Sequence, residues 1–186
     1  MLISLGDSKF EIEDSVNRFN LELQNGEMQV LPGGGTHRFN NSSDETLRLV
    51  EIDIAKRIHP QRPICGLNAR QCTNGAFGNG DNDSYSQSTL FETETLKLAR
   101  VQLGATSMLP THHHERSHLI LALDDVSLFD DAQDREIRLK AGEPFLYSRA
   151  SHNLKNAGTE KVRLITVDFK SVFASRTFLR NKNAES

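Results

Sequence analysis

Cysteine is nearly absent from this chain. Cys65 and Cys72 are the only two in 186 residues, too few for a disulfide framework and without the two-residue spacing of a zinc knuckle or redox pair. Both read as reduced thiols. Positive charge is also scarce: 22 Lys and Arg against 25 Asp and Glu leave a formal charge of -3 and a pI near 6.2. No basic stripe is available to neutralise phosphates, so nucleic acid is not an expected partner. No apolar run approaches the roughly 20 residues that span a bilayer, and the opening "MLISLGDSKFEIED" lacks the basic start and cleavage site of a secretory signal. A membrane is therefore not an expected partner, and the cytoplasm is the expected location. Gly-x-Ser-x-Gly, the elbow that presents a nucleophilic serine, does not occur. The glycines of "PGGGTH" (32–37) lie between two strand-like segments rather than before a helix, which suits a turn and not a phosphate cradle. The acidic pairs Asp124–Asp125 and Asp130–Asp131 sit in or beside turns, where solvation accounts for them.

What the chain does contain, it says twice. "NGEMQVLPGGGTHRFNNSSDETLRLVEIDI" (25–54) and "AGEPFLYSRASHNLKNAGTEKVRLITVDF" (141–169) share one template: Gly-Glu, an apolar run, His, three residues, Asn, a polar turn and a long apolar strand. Gly26 matches Gly142, His37 matches His152, Asn41 matches Asn156 and Asp53 matches Asp168. Both closing strands break their period-2 alternation at one equivalent place, Leu49–Val50 and Leu164–Ile165, which points to a bulge or an edge-to-core crossover. Each copy reads as short strands separated by Gly, Asn, Asp and Ser turns, the pattern of an all-β sandwich or barrel.

The copies are unequal. Two more strand candidates, "STLFETE" and "TLKLARVQL", precede the second copy, whereas the first begins at Met1, as though midway through a β-domain. The expected organisation is a partial β unit over 1–56, a linker over 57–90 rich in Gly, Asn, Asp and Ser, a complete barrel over 91–172, and a tail over 173–186 holding a short helix. A half-barrel leaves strand edges unpaired, so a homodimer is expected to cover them.

Four of the seven histidines fall within "THHHERSH" (111–118). Residues two apart on a strand share a face, so His112 and His114 point one way and His113 the other. A hairpin between "SMLPTHHH" and "HLILAL" would return His118 to the same face, and His152 would arrive from a distant strand. From the residues alone, a metal site and a set of neutral histidines bonded to water or backbone both stand. His37, with no His-x-His partner, reads as structural.

These motifs resemble those of the cupin superfamily. "GEMQVLPGGGTHRFN" with Asn41 fits its second motif through Gly26, Pro32, Gly34, His37 and Asn41, and the copy at 142–156 carries Ser148 for Pro, Ala150 for Gly and one residue fewer before His152. "GATSMLPTHHHERSH" is similar to the first motif, supplying Gly104, His112, His114 and, where that motif has Glu, His118. The resemblance implies a cupin jelly-roll β-barrel preceded by a second half-cupin unit. It implies a divalent transition metal held by His112, His114, His118 and His152, among Fe, Ni, Zn, Mn, Co and Cu, since imidazole donors suit these better than Mg or Ca. An all-nitrogen set leaves the cation's full charge in place and favours an anionic small-molecule ligand, with Tyr147 and Arg149 on the strand before His152 as candidate carboxylate binders. The implied activity is that of a mononuclear metalloenzyme of dioxygenase type. A non-catalytic ligand-binding or sensory cupin is the alternative.

Overall fold

A computed structural model describes residues 1–31, 36–53, 84–114, 116–147 and 151–170, together with the backbone of 178–184. Every regular element among them is a strand, and the chain divides into two compact units, 1–56 with 176–186, and 57–175. Cys65, Cys72, Pro32, Gly34, Ser148, Arg149, Ala150 and most of the Gly/Asn linker lie outside the described residues.

In the first unit the strands are β1 (Leu2–Ser4), β2 (Ser8–Asp14), β3 (Arg18–Leu23), β4 (Met28–Gln29), β5 (His37–Asn41) and β6 (Leu47–Asp53). β1 lies between β4 and β6, and β2 between β3 and β5. Leu2, Phe10, Ile12, Leu47 and Leu49 form the core that these two sheets enclose, and each such side chain removed from water contributes about 1.5–3 kcal/mol.

The second unit is built from β7 (Tyr85–Glu92), β8 (Leu96–Leu103), β9 (His112–His113), β10 (His118–Ala122), β11 (Val126–Asp130), β12 (Arg135–Leu139), β13 (Pro144–Tyr147), β14 (Ser151–His152), β15 (Leu154–Asn156) and β16 (Val162–Phe169). One sheet runs β13-β10-β16-β8-β7, a second β12-β11-β15, and β9 pairs with β14. Val101, Leu103, Ile120 and Leu164 from the first meet Leu128, Ile137 and Leu154 from the second in one core. That is a jelly-roll arrangement, all-β as the alternation of apolar residues dictates.

The internal repeat is written in hydrogen bonds. Gly26 and Gly142 both take positive φ, 77° and 91°, at a turn where the following Glu folds back: Gln24 N donates to Glu27 Oε2 and Lys140 N to Glu143 Oε2, each at 2.8 Å. Only glycine adopts that backbone without strain. Asn41 and Asn156 clasp equivalent turns. The Asn41 amide donates to Glu45 O and its oxygen accepts from Ser43 N; Asn156 donates to Glu160 O and accepts from Gly158 N.

Four expectations are corrected. The tail holds no helix among its described residues: 178–184 form β17 (Phe178–Ala184), antiparallel to β6 over seven register pairs. β17 thus takes beside β6 the place that β8 takes beside β16, so the β6 edge is paired within the chain while β3, β4 and β5 remain at sheet edges. The linker ends earlier than expected, since β7 begins at Tyr85. Neither closing strand carries a bulge; their registers are continuous, and the one irregularity beside β8 falls at Thr89/Phe91 in β7. Leu164 and Ile165 are both apolar because both faces of β16 are buried. Finally, β9 and β10 do not form a hairpin. β9 pairs with β14, while β10 lies between β13 and β16.

Candidate metal centre

Pairing of β9 with β14 sets His112 opposite His152. In the other sheet, His118 stands in one cross-strand row with Tyr147 and Asp168, and His114 follows β9 directly. The four imidazoles therefore meet although they come from different sheets. Ring centres are 4.4 Å apart for His112 and His152, 4.6 Å for His112 and His114, and 5.1 Å for His114 and His152. His113 points away, exposed, with Nδ1 3.0 Å from Ser151 Oγ, as the strand alternation requires.

The protonation of each ring follows from its neighbours. His112 Nδ1 donates to Pro110 O at 2.8 Å, which leaves the lone pair on Nε2 in the neutral ring. His114 Nδ1 lies 3.2 Å from Asp168 Oδ1, and its buried Nε2 has no hydrogen-bond partner. A carbonyl and a carboxylate behind the outer nitrogens are the arrangement that fixes the tautomer of metal-binding imidazoles. Burial, reinforced by the neighbouring imidazoles, lowers His118 and His152 to about 3. It lowers His112 as well, against the pull of the Pro110 carbonyl. All three are neutral at pH 7, the form a cation needs. The Asp168 carboxyl is pulled up by burial, yet the His114 ring and its charge hold it below the usual range.

His112, His114 and His152 offer nitrogens within 4.8 Å of one another. With a metal–nitrogen bond of roughly 2.1 Å, an imidazole centre stands about 3.2 Å from the cation. Two such rings are then about 4.5 Å apart at a right angle and about 5.2 Å at the tetrahedral angle. The three observed separations fall at these values, and the orphaned His114 Nε2 supplies an unused donor, so the residues fit a divalent transition metal. His118 is different. It stacks on His114 at 3.8 Å and 17°, too close for two rings radiating from one centre, and its other face lies on Tyr147 at 5.0 Å and 5°. The expected four-histidine set divides into three convergent rings and one packed against them.

Tyr147 reaches the site through its ring, not its hydroxyl. It is 2% exposed, and its hydroxyl donates to Asp130 Oδ2 at 3.1 Å. Burial raises its pKa, as does the Asp130 charge, and Arg135 lies over the ring at 5.3 Å. Asp130 is fully buried, which corrects its reading as a solvated turn residue. Asp124 likewise accepts a bidentate pair from Arg163. Arg149 is outside the described residues. In the first unit His37 pairs with Glu51 at 3.0 Å, the structural role expected of it.

A cavity of about 220 Å³ opens beside the imidazoles, walled by Val101, Leu109, Ile120, Leu154 and Leu164 and carrying Tyr85, Gln87, Lys97, Thr166 and Asp168 as polar groups. None of these polar groups was singled out in the sequence. Asp168 and Lys97 are charged residues at inward positions of otherwise apolar strands, "VRLITVDF" and "LKLARVQL", and that alternation was the available signal. Asp168 also alters the electrostatics: the site is not all-nitrogen, because a carboxylate sits behind His114.

No family model matches the chain, and no curated protein matches it. Solved structures of similar fold include a cupin domain from Bordetella pertussis, 12% identical, covering 48% of this chain and 97% of its own, with a TM-score of 0.45. An RmlC-like cupin from Shewanella frigidimarina is 12% identical over 60% of this chain and 95% of its own, TM-score 0.43. A DMSP lyase from Ruegeria pomeroyi is 13% identical over 58% of each chain, TM-score 0.42.

Proposed function

We propose that this chain, a cupin in fold, binds one divalent transition metal through His112, His114 and His152 and acts on a small anionic organic substrate as a mononuclear metalloenzyme of dioxygenase type. The observation that carries the reading is the convergence of three imidazoles on one point beside a cavity of about 220 Å³. That volume is below the range of drug-sized pockets, which suits a metabolite of a few carbons. Bound there, the metal supplies Lewis acidity and a template for substrate and O2.

The protein's own groups set the conditions. Pro110 O accepts from the outer nitrogen of His112, and Asp168 stands 3.2 Å from that of His114, which keeps both rings oriented. His118 and Tyr147 form a rigid stacked wall that fixes His114 from one side. Leu109, Ile120, Leu154 and Leu164 keep bulk water from the reacting face, which strengthens every charge interaction within. Tyr147 is assigned to this wall rather than to substrate, since its hydroxyl is committed to Asp130.

Elemental analysis of freshly purified protein tests the metal, with about one equivalent expected per chain and less than a tenth in H112A or H152A. Oxygen uptake on a panel of small carboxylic acids tests the reaction class. One observation favours the alternative, a non-catalytic small-molecule-binding or sensory cupin: His152 Nε2 and His112 Nε2 are 2.9 Å apart, so the cluster can close on itself by a shared proton. Metal-free protein with no oxygen uptake would select that reading. Cytoplasmic location and a homodimer complete the proposal. No helix among the described residues is long and apolar enough to cross a membrane, and sedimentation velocity decides the assembly.

A further inference from the structure

Lys97 is a cation on the inner face of a barrel strand. Its companions on that face, Ala99, Val101 and Leu103, are at most 1% exposed, yet Lys97 lines the cavity beside the imidazoles. A partly buried ammonium on an otherwise apolar face is a favourable place for an anion. Its two cross-strand neighbours are carboxylates, Asp168 on β16 and Glu92 on β7: Asp168 lies nearer His114, at 3.2 Å, and feels the Lys97 charge at longer range, while Glu92 is paired with Lys170. Among the described residues no carboxylate stands within ion-pair distance of Lys97. Thr166, a diagonal neighbour whose Cβ lies roughly 7 Å away by strand geometry, also lines the cavity. It sits between Ala99 and Ile120 in its row. Lys97, Asp168 and His118 share another row, which sets Lys97 two strands, about 10 Å at the backbone, from His118.

We propose that Lys97, assisted by the Thr166 hydroxyl, is the carboxylate-binding subsite of this cavity, and that it selects small organic acids whose reactive end then faces His112, His114 and His152. This rests on the reading of the site as a metal centre for an anionic substrate, and it names the group that recognises the anion. Lysine meets the carboxylate as a point charge with three donors. Thr166 adds one directional hydrogen bond. The cavity is too small for long acids, so the span between the two ends limits the substrate to a few carbons.

The test is isothermal titration calorimetry with succinate and its uncharged counterpart succinamide, on Zn(II)-loaded and on chelator-treated protein. Binding of succinate is expected to weaken at least tenfold in Lys97→Met and to stay within about threefold of the parent in Lys97→Arg. Succinamide affinity and zinc stoichiometry should be unchanged in both variants. Lys97→Gln, a polar replacement, serves the same purpose if Lys97→Met lowers Tm. Succinate bound equally by parent and variants, or bound by none of them, would overturn the subsite. Absence of zinc binding with Lys97-dependent succinate binding intact would overturn the metal reading alone.

Discussion

Acid should unfold this protein through its imidazoles before its carboxylates. His118 and His152 titrate near 3 in the folded chain against about 6.5 when unfolded. Their folded values are depressed, so the unfolded state binds the protons that the folded state refuses. The stability they contribute is complete above pH 6.5 and is lost as pH falls from 6.5 toward 3. At pH 5 each ring has lost about 2 kcal/mol relative to pH 8, and the coupled pair up to about 4 kcal/mol, with a slope of roughly 3 kcal/mol per pH unit. That is a large share of a typical domain's stability. Asp168, held below its usual range, adds its loss only below about pH 4. Urea unfolding of chelator-treated protein at pH 8, 6.5, 5.5 and 5 measures this. His118→Phe keeps a ring against Tyr147 while removing one titrating group, and should roughly halve the slope. A free energy that changes by less than about 1 kcal/mol between pH 8 and pH 5 would refute the assignment of buried, neutral rings.

Three further outcomes are expected. Tyr147→Phe leaves the fully buried Asp130 carboxylate without that donor, and should cost about 1–3 kcal/mol of stability, read as a lower Tm with metal content unaltered. Asn156→Ala removes a buried clasp that donates to Leu103 O, Gly104 O and Glu160 O, whereas Asn41 makes the equivalent turn contacts at the surface. The first substitution should cost about 2 kcal/mol or more and the second less than about 1, and equal effects would count against the burial argument. Deleting 176–186 strips β17 from β6 and opens a strand edge. Limited proteolysis should then cut residues 1–56 at least tenfold faster while 84–170 stays resistant.

Much of the architecture was legible because strand alternation and turn chemistry are local. The matched Gly-Glu and His-x-x-x-Asn segments announced matching turns, and the shared hydrogen bonds at Gln24–Glu27 and Lys140–Glu143 give the physical reason for the match. His112 and His114 could be set on one face, with His113 on the other, from period 2 alone. Double apolar pairs such as Leu164–Ile165 misled, because a strand covered on both faces and a strand with a bulge leave the same trace in sequence.

Which elements touch is a long-range matter, and there only the fold could decide. No local signal shows that residues at the far end of the chain pair with β6, nor that β9 leaves β10 for β14. The separation of His114 and His118, 3.8 Å and face to face, depends on how two sheets curve past each other. By itself the sequence determined an all-β chain with an internal repeat and a cluster of imidazoles able to share a face. Tertiary structure decided which three converge, that Asp168 stands behind one of them, and that Lys97 is left facing the cavity without an ion pair among the described residues, because those outcomes depend on strands brought together from about 40 to 70 residues apart in sequence.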